Sequence, residues 1–276
     1  MTTSNFITLL RASLKFYIST RRFIIMGILY VILTAIGPLV VALKIEPNAP
    51  DAYSFTQGNF SGFSFAVILL AAILAGDALS QDFGRQGLFT LTQPVRRSTI
   101  LLSRYVAAFL VSAGIIFVLF DVFGFALSQY YYGQIVPNAA LIIGTSLLLV
   151  ASMVATVLLF SSLFKSPVIS IVVAVLFFIL AIPIVTGVLS FTSIEPWFFI
   201  TYAGGVVSAL GAQSYPPHLV TQNISEGGIN ISISTYTPTV IESTVIMLAY
   251  LIGSLLVAGS STQGKRSRKR LSRRTS

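Results

Sequence analysis

Six stretches of this chain, 23–43, 62–79, 105–127, 138–164, 167–189 and 239–259, contain no lysine or arginine and are dominated by Leu, Ile, Val, Ala and Phe. About 20 apolar residues in a helix cross the roughly 30 Å of a bilayer's hydrocarbon core. Backbone groups in lipid must find partners within their own segment or in a closed barrel. These runs are too long for barrel strands, so the sequence predicts an all-α polytopic membrane protein with six transmembrane helices.

Composition agrees and excludes alternatives. Hydrophobic residues make up 55% of the chain and charged residues 9%, and the mean hydropathy is +0.89. Soluble domains carry about 25% charged residues. There is no cysteine and one histidine, His218. Disulfides, thiolate chemistry and Cys- or His-based metal sites are therefore not expected. The net charge of +9 does not imply nucleic acid, because basic residues mark the cytoplasmic ends of membrane spans. With the N-terminus inside, every one of the 17 lysines and arginines except Lys44 falls on the cytoplasmic side. Both termini are accordingly expected in the cytoplasm, and the plasma membrane is the expected location.

Residues 1–22 form the first expected unit. Phe6, Ile7, Leu10, Leu14 and Tyr17 share one helical face opposite Thr8, Arg11 and Lys15. Such a helix either lies on the cytoplasmic leaflet or covers neighbouring helices. The run after Arg21 and Arg22 is longer than a signal-peptide core and is expected to remain as an anchor. Residues 23–259 form the six-helix transmembrane domain, with an inner loop at 80–104 and an outer loop at 191–238. In the outer loop, 197–212 is apolar but short, and a seventh crossing there would erase the charge asymmetry. It is expected as a re-entrant or interfacial piece, broken at Gly204 and Gly205. Alternation of Ile229, Ile231 and Ile233 with Asn230, Ser232 and Ser234 predicts a strand-like element in an outer cap. Residues 260–276 are expected as a solvated basic tail. Sequons at Asn59, Asn223 and Asn230 all fall in loops assigned outside and are candidate glycosylation sites.

The segment joining the second and third spans is the most distinctive. It begins at Asp77, reads Gln81-Asp82-Phe83-Gly84-Arg85-Gln86-Gly87-Leu88 through Leu91, turns at Pro94-Val95-Arg96-Arg97, and leads through Ile100-Leu101 to Arg104. It resembles the cytoplasmic segment of type-2 permeases of ATP-binding cassette transporters. The resemblance implies a short coupling helix over about 79–91 that docks on a separate ATPase subunit. Asp82, Arg85, Gln86, Gly87, Leu88 and Leu91 would form the docking region, Pro94 would stop the helix, and Arg96 and Arg97 would mark the headgroup level. This chain departs from the family where Gly87 is followed by Leu88 and Phe89 rather than by threonine and an acidic residue. The resemblance further implies export, ATP and magnesium held by the partner ATPase and not by this chain, and a second permease, identical or related, as the other half of the transporter. Membrane lipids are the remaining expected partner.

Other features point to no catalytic site. The stretch Gly259 to Arg266 approximates a phosphate-binding loop, but Arg266 stands where a hydroxyl must bind magnesium, and the segment follows a membrane helix. Carboxylates inside spans are costly and invite a functional reading. Asp77 is expected to pair with nearby arginines. Asp121 is expected near the outer interface, either lining a translocation path or snorkelling. Glu242 suits a helix N-terminus, and His218 reads as a loop residue. Two other functions remain open at this level, an ion- or proton-coupled carrier and a non-transporting membrane scaffold.

Overall fold

The computed structural model describes residues 3–19, 23–25, 27–32, 51–76, 78–79, 97–164, 166–226 and 229–272. Among the described residues the fold is mostly helical, and five helices are long and apolar enough to cross a membrane. In chain order the elements are α1 (Thr3–Ser19), α2 (Phe23–Ile32), α3 (Ala52–Ala75), α4 (Ser98–Tyr132), α5 (Ala139–Leu163), α6 (Pro167–Phe191), α7 (Ile200–Ala209), β1 (Leu219–Glu226), β2 (Ile229–Tyr236) and α8 (Val240–Ser272). The chain is thus a multi-pass membrane protein.

Five of the six expected spans correspond to α3, α4, α5, α6 and α8. Of the first, only the start is described, as α2, and 33–50 lie outside the described residues. Four boundaries differ from expectation by five residues or more, one of them the start of the third span, at Ser98 rather than Tyr105. The second span begins ten residues early, at Ala52, because Asp51 caps it: its side chain accepts a hydrogen bond from the Ser54 amide at 2.8 Å. This satisfies one of the orphan donors at a helix start. The third span extends to Tyr132 and ends where Gly133 adopts φ 69°, a left-handed conformation suited to glycine. The last helix continues to Ser272, through residues expected as a tail.

The centre of the bundle is α5. In its most apolar stretch 72% of residues are buried, against 22% in α6 and in α8. Apolar burial alone does not favour helix association in lipid, so small residues and interhelical hydrogen bonds matter more. Helix α5 supplies both. Ser146, Ser152, Ala155, Thr156 and Ser161 are buried along it. Ser254 of α8 donates to Thr156 Oγ1 at 3.3 Å, and the Tyr105 hydroxyl of α4 donates to the Ala151 carbonyl at 3.3 Å. The outer faces of α6 and α8 present Val168, Leu180, Ile184, Ile241, Val245 and Leu256.

Two helices contain π turns, at Phe117–Val122 in α4 and Phe177–Ala181 in α6. The second has a covalent cause, since Pro183 lacks an amide hydrogen and its ring crowds the preceding turn. On α1, Tyr17 is buried and Leu10 and Leu14 pack on the core, while Arg11 and Lys15 are exposed. This helix packs along the start of α4. Ile7, expected on the same face, is exposed along with Phe16 and Ile18.

Candidate functional site

The bundle has two distinct ends. At one, Ala78 and Leu79 follow α3, and α4 begins. The Leu79 amide donates to Ser161 Oγ at 2.9 Å, and the Arg104 guanidinium donates to the Ala78 carbonyl. The turn between α5 and α6 is at this end, with Pro167 in the first turn of α6. Both borders of the 80–96 segment are therefore held side by side. Asp77, Asp82, Arg85, Gln86, Gly87, Leu88, Leu91, Pro94 and Arg96 lie outside the described residues, and Arg97 is described only as the helical start of α4.

Asp121 lies toward the other end, within the π turn of α4. It is fully buried, so it does not snorkel. Its Oδ2 accepts a hydrogen bond from Ser146 Oγ at 2.9 Å. The same hydroxyl is 2.9 Å from the Ile143 carbonyl, and its single proton serves one acceptor at a time. Oδ1 of Asp121 has no hydrogen-bond partner among the described residues. Aromatic rings surround this turn: Phe120 packs on Tyr30 and Phe63 with ring centroids 6.1 and 5.4 Å apart. Ser146 is seven residues along α5, about 10 Å from its start at 1.5 Å per residue.

The far end is closed by a cap, residues 192–239. Helix α7 is the apolar piece expected to be re-entrant. It is too short to cross, it is divided at Gly205, and Ile200, Ala203, Val206 and Val207 are buried. Gly204 lets it wedge into the bundle, since a Cβ there would lie 2.6 Å from Ser64 Oγ and 3.0 Å from Leu149 Cδ2. The expected strand pattern is β2, paired antiparallel with β1 from Leu219 opposite Tyr236 to Glu226 opposite Ile229. Tyrosines tie the cap down. Tyr236 donates to the Ser193 carbonyl at 2.7 Å, Tyr250 of α8 to the Phe198 carbonyl at 2.7 Å, and Tyr215 to the Pro238 carbonyl.

Where the cap meets α8, three groups from separate elements converge, His218 exposed and the two carboxylates half-buried. Glu195 follows α6, His218 precedes β1, and Glu242 is in the first turn of α8. Their ligand atoms all lie within 4.8 Å of one another, and His218 Nε2 is 3.4 Å from Glu195 Oε1. Glu195 Oε1 also accepts the Tyr202 hydroxyl at 2.7 Å. Burial, reinforced by that hydrogen bond, pushes the Tyr202 phenol well above its ordinary range; burial and then the Glu242 charge push Tyr215 upward. Both tyrosines therefore remain neutral donors. Glu242 fulfils its expected place at a helix start through a reciprocal capping box. Its amide donates to Thr239 Oγ1 and its Oε2 accepts from the Thr239 amide, each at 3.3 Å.

The sequence reading set His218 aside because no second histidine or cysteine exists. Its neighbours are instead carboxylates 23 and 24 residues away in either direction, which no local spacing reveals. Of the sequons, Asn59 is not in a loop. It is half-buried on α3, and a Cβ on Gly124 would lie 2.6 Å from its Nδ2. The early start of α3 carries it into the α3–α4 contact. Asn223 and Asn230 lie on β1 and β2, opposite Ser232 and Ser225. Comparison with models of protein families and with curated proteins finds no match to this chain.

Proposed function

We propose that the chain is the transmembrane permease subunit of an ATP-binding cassette exporter in the plasma membrane, driven by a separate ATPase subunit that binds ATP and magnesium. The resemblance of 77–104 motivates this reading. The observation that supports it best is the stitching of Leu79 to Ser161 and Arg104 to Ala78. A connector transmits force only when both its ends are fixed to the elements it must move. Here the ends join α3 and α4, and both helices pack on the central α5. ATPase closure would press on a helix at 79–91 through Arg85, Gln86, Leu88 and Leu91, tilting α3 and α4 against α5. A second permease would complete the pathway.

The test is purification of the tagged full-length chain from its own membrane in mild detergent, followed by photolabelling with azido-ATP and measurement of ATP hydrolysis. A labelled partner chain should copurify, and combined substitution of Arg85, Leu88 and Leu91 by alanine should abolish both signals. Retention of the labelled partner and full hydrolysis by the triple variant would overturn the docking assignment.

One observation favours a second reading, a carrier coupled to an ion or proton gradient: Asp121 is buried in a span with Oδ1 unpartnered among the described residues. Uptake or efflux driven by an imposed proton gradient without ATP, and lost in Asp121→Asn, would select it.

A further inference from the structure

We infer that Glu195, His218 and Glu242 form a binding site for one divalent first-row transition metal of the zinc class, clamping the cap to the last spanning helix. The inference does not depend on the ATPase reading.

The donor set is the first argument. Two carboxylates and one imidazole nitrogen suit zinc and its neighbours, which accept mixed nitrogen and oxygen ligands. The Glu195 and Glu242 carboxyls converge within 4.8 Å of each other and of the imidazole, an arrangement that a shared proton or a bound cation relieves.

The second argument is the orientation of His218. Its Nδ1 lies 2.9 Å from the Thr237 carbonyl, an oxygen that can only accept, so Nδ1 carries the proton. In the neutral ring Nε2 then presents a lone pair to the Glu195 carboxylate at 3.4 Å. Two lone pairs facing each other at this distance repel, and either a proton on Nε2 or a cation between them removes the conflict, alternatives that zinc titration separates. Ligands about 2.0–2.1 Å from a tetrahedral zinc are about 3.3–3.4 Å apart; the His218–Glu195 separation is already 3.4 Å, and the others, within 4.8 Å, must close by side-chain rotation as the ion binds.

The third argument is that each ligand is held by a further group, as metal ligands usually are. Thr237 fixes His218, the Tyr202 hydroxyl holds Glu195, and the Thr239 amide holds one oxygen of Glu242, leaving the other for the ion. Three protein ligands leave a fourth position for water or an exchangeable group. Because the three elements are the loop after α6, the hairpin entrance and the start of α8, an ion would cross-link the cap to the bundle.

Zinc titration of the full-length, chelator-stripped protein in non-ionic detergent at neutral pH tests this. The expected result is one zinc per chain with micromolar or tighter affinity. X-ray absorption should show one nitrogen and otherwise oxygen ligands, and zinc should raise the unfolding temperature. The single histidine makes the spectral assignment unambiguous. His218→Ala, Glu195→Gln and Glu242→Gln should each weaken binding at least about tenfold, and Tyr202→Phe, which keeps all three ligands, by about 10–100-fold. Equal unfolding temperatures of wild type and Tyr202→Phe in chelator would show that the loss is not misfolding. Absence of saturable binding would overturn the inference, as would wild-type affinity in Glu195→Gln and Glu242→Gln. Stability that responds to pH but not to zinc would assign the site to a protonated His218 bridging the carboxylates, and would equally overturn it.

Discussion

Both ends of the bundle are held by contacts between residues distant in sequence, but what those contacts hold differs. The cap is assembled from residues distant in sequence: Tyr250 reaches Phe198, Tyr236 reaches Ser193, and Glu195, His218 and Glu242 meet from three elements. At the other end the described contacts, Leu79 to Ser161 and Arg104 to Ala78, fix the borders of one continuous segment. A cap braced across several elements suits a fixed platform, whereas a segment whose two borders are fixed to α3 and α4 can pass motion to those helices under the permease proposal. Under the proposed function, damage to the cap should lower stability, and damage to the opposite end should uncouple the partner's ATP hydrolysis before it unfolds the protein.

The largest stability effect is expected at Gly204→Val. The added side chain would enter the space of Ser64 and Leu149, and overpacking of this kind costs about 1–3 kcal/mol. The lowered unfolding temperature in detergent would be the readout. At the opposite end, Ser161→Ala leaves the buried Leu79 amide without its acceptor, a cost of about 1–2 kcal/mol. Here the comparison predicts a second signature, a drop in substrate-stimulated ATP hydrolysis that Gly204→Val does not produce at temperatures where it remains folded. Equal effects of the two variants on coupling would erase the distinction between the ends.

How much of this was legible in the sequence follows the same division. Helix length and apolar character are local properties, so the spans at α5 and α6 agree with expectation to within two residues. The short α7, its break at Gly205 and the alternation of β2 were likewise readable from adjacent residues. Asp51 as a helix cap was missed because 52–61 is polar enough to read as loop, and its helical state comes from packing of Phe55 and Phe60 on α4. That packing also moved Asn59 from its expected loop into an interface. The burial of Asp121 depends on the π turn and on Ser146, 25 residues further along the chain. The His218 cluster was illegible for the same reason, since its partners are brought together only by the cap.

Two smaller effects sharpen the comparison further. Thr239→Ala removes the hydroxyl half of the capping box at the start of α8 and should cost about 1 kcal/mol, while the Thr239 amide still holds the Glu242 carboxylate. Tyr236→Phe deletes a single exposed hydrogen bond to Ser193 and should cost about 0.5–1 kcal/mol. Thermal unfolding should rank these two below Gly204→Val, and neither should alter ATP coupling.

Because the chain has no cysteine of its own, a single cysteine placed at Leu88 reports the sidedness and partner of the central segment without background. The decisive measurement is its modification in sealed cells, followed by cross-linking in isolated membranes. The account predicts protection from a membrane-impermeant maleimide outside, reaction once the membrane is opened, and a cross-link to a nucleotide-binding chain. Labelling of that cysteine from outside intact cells would contradict it.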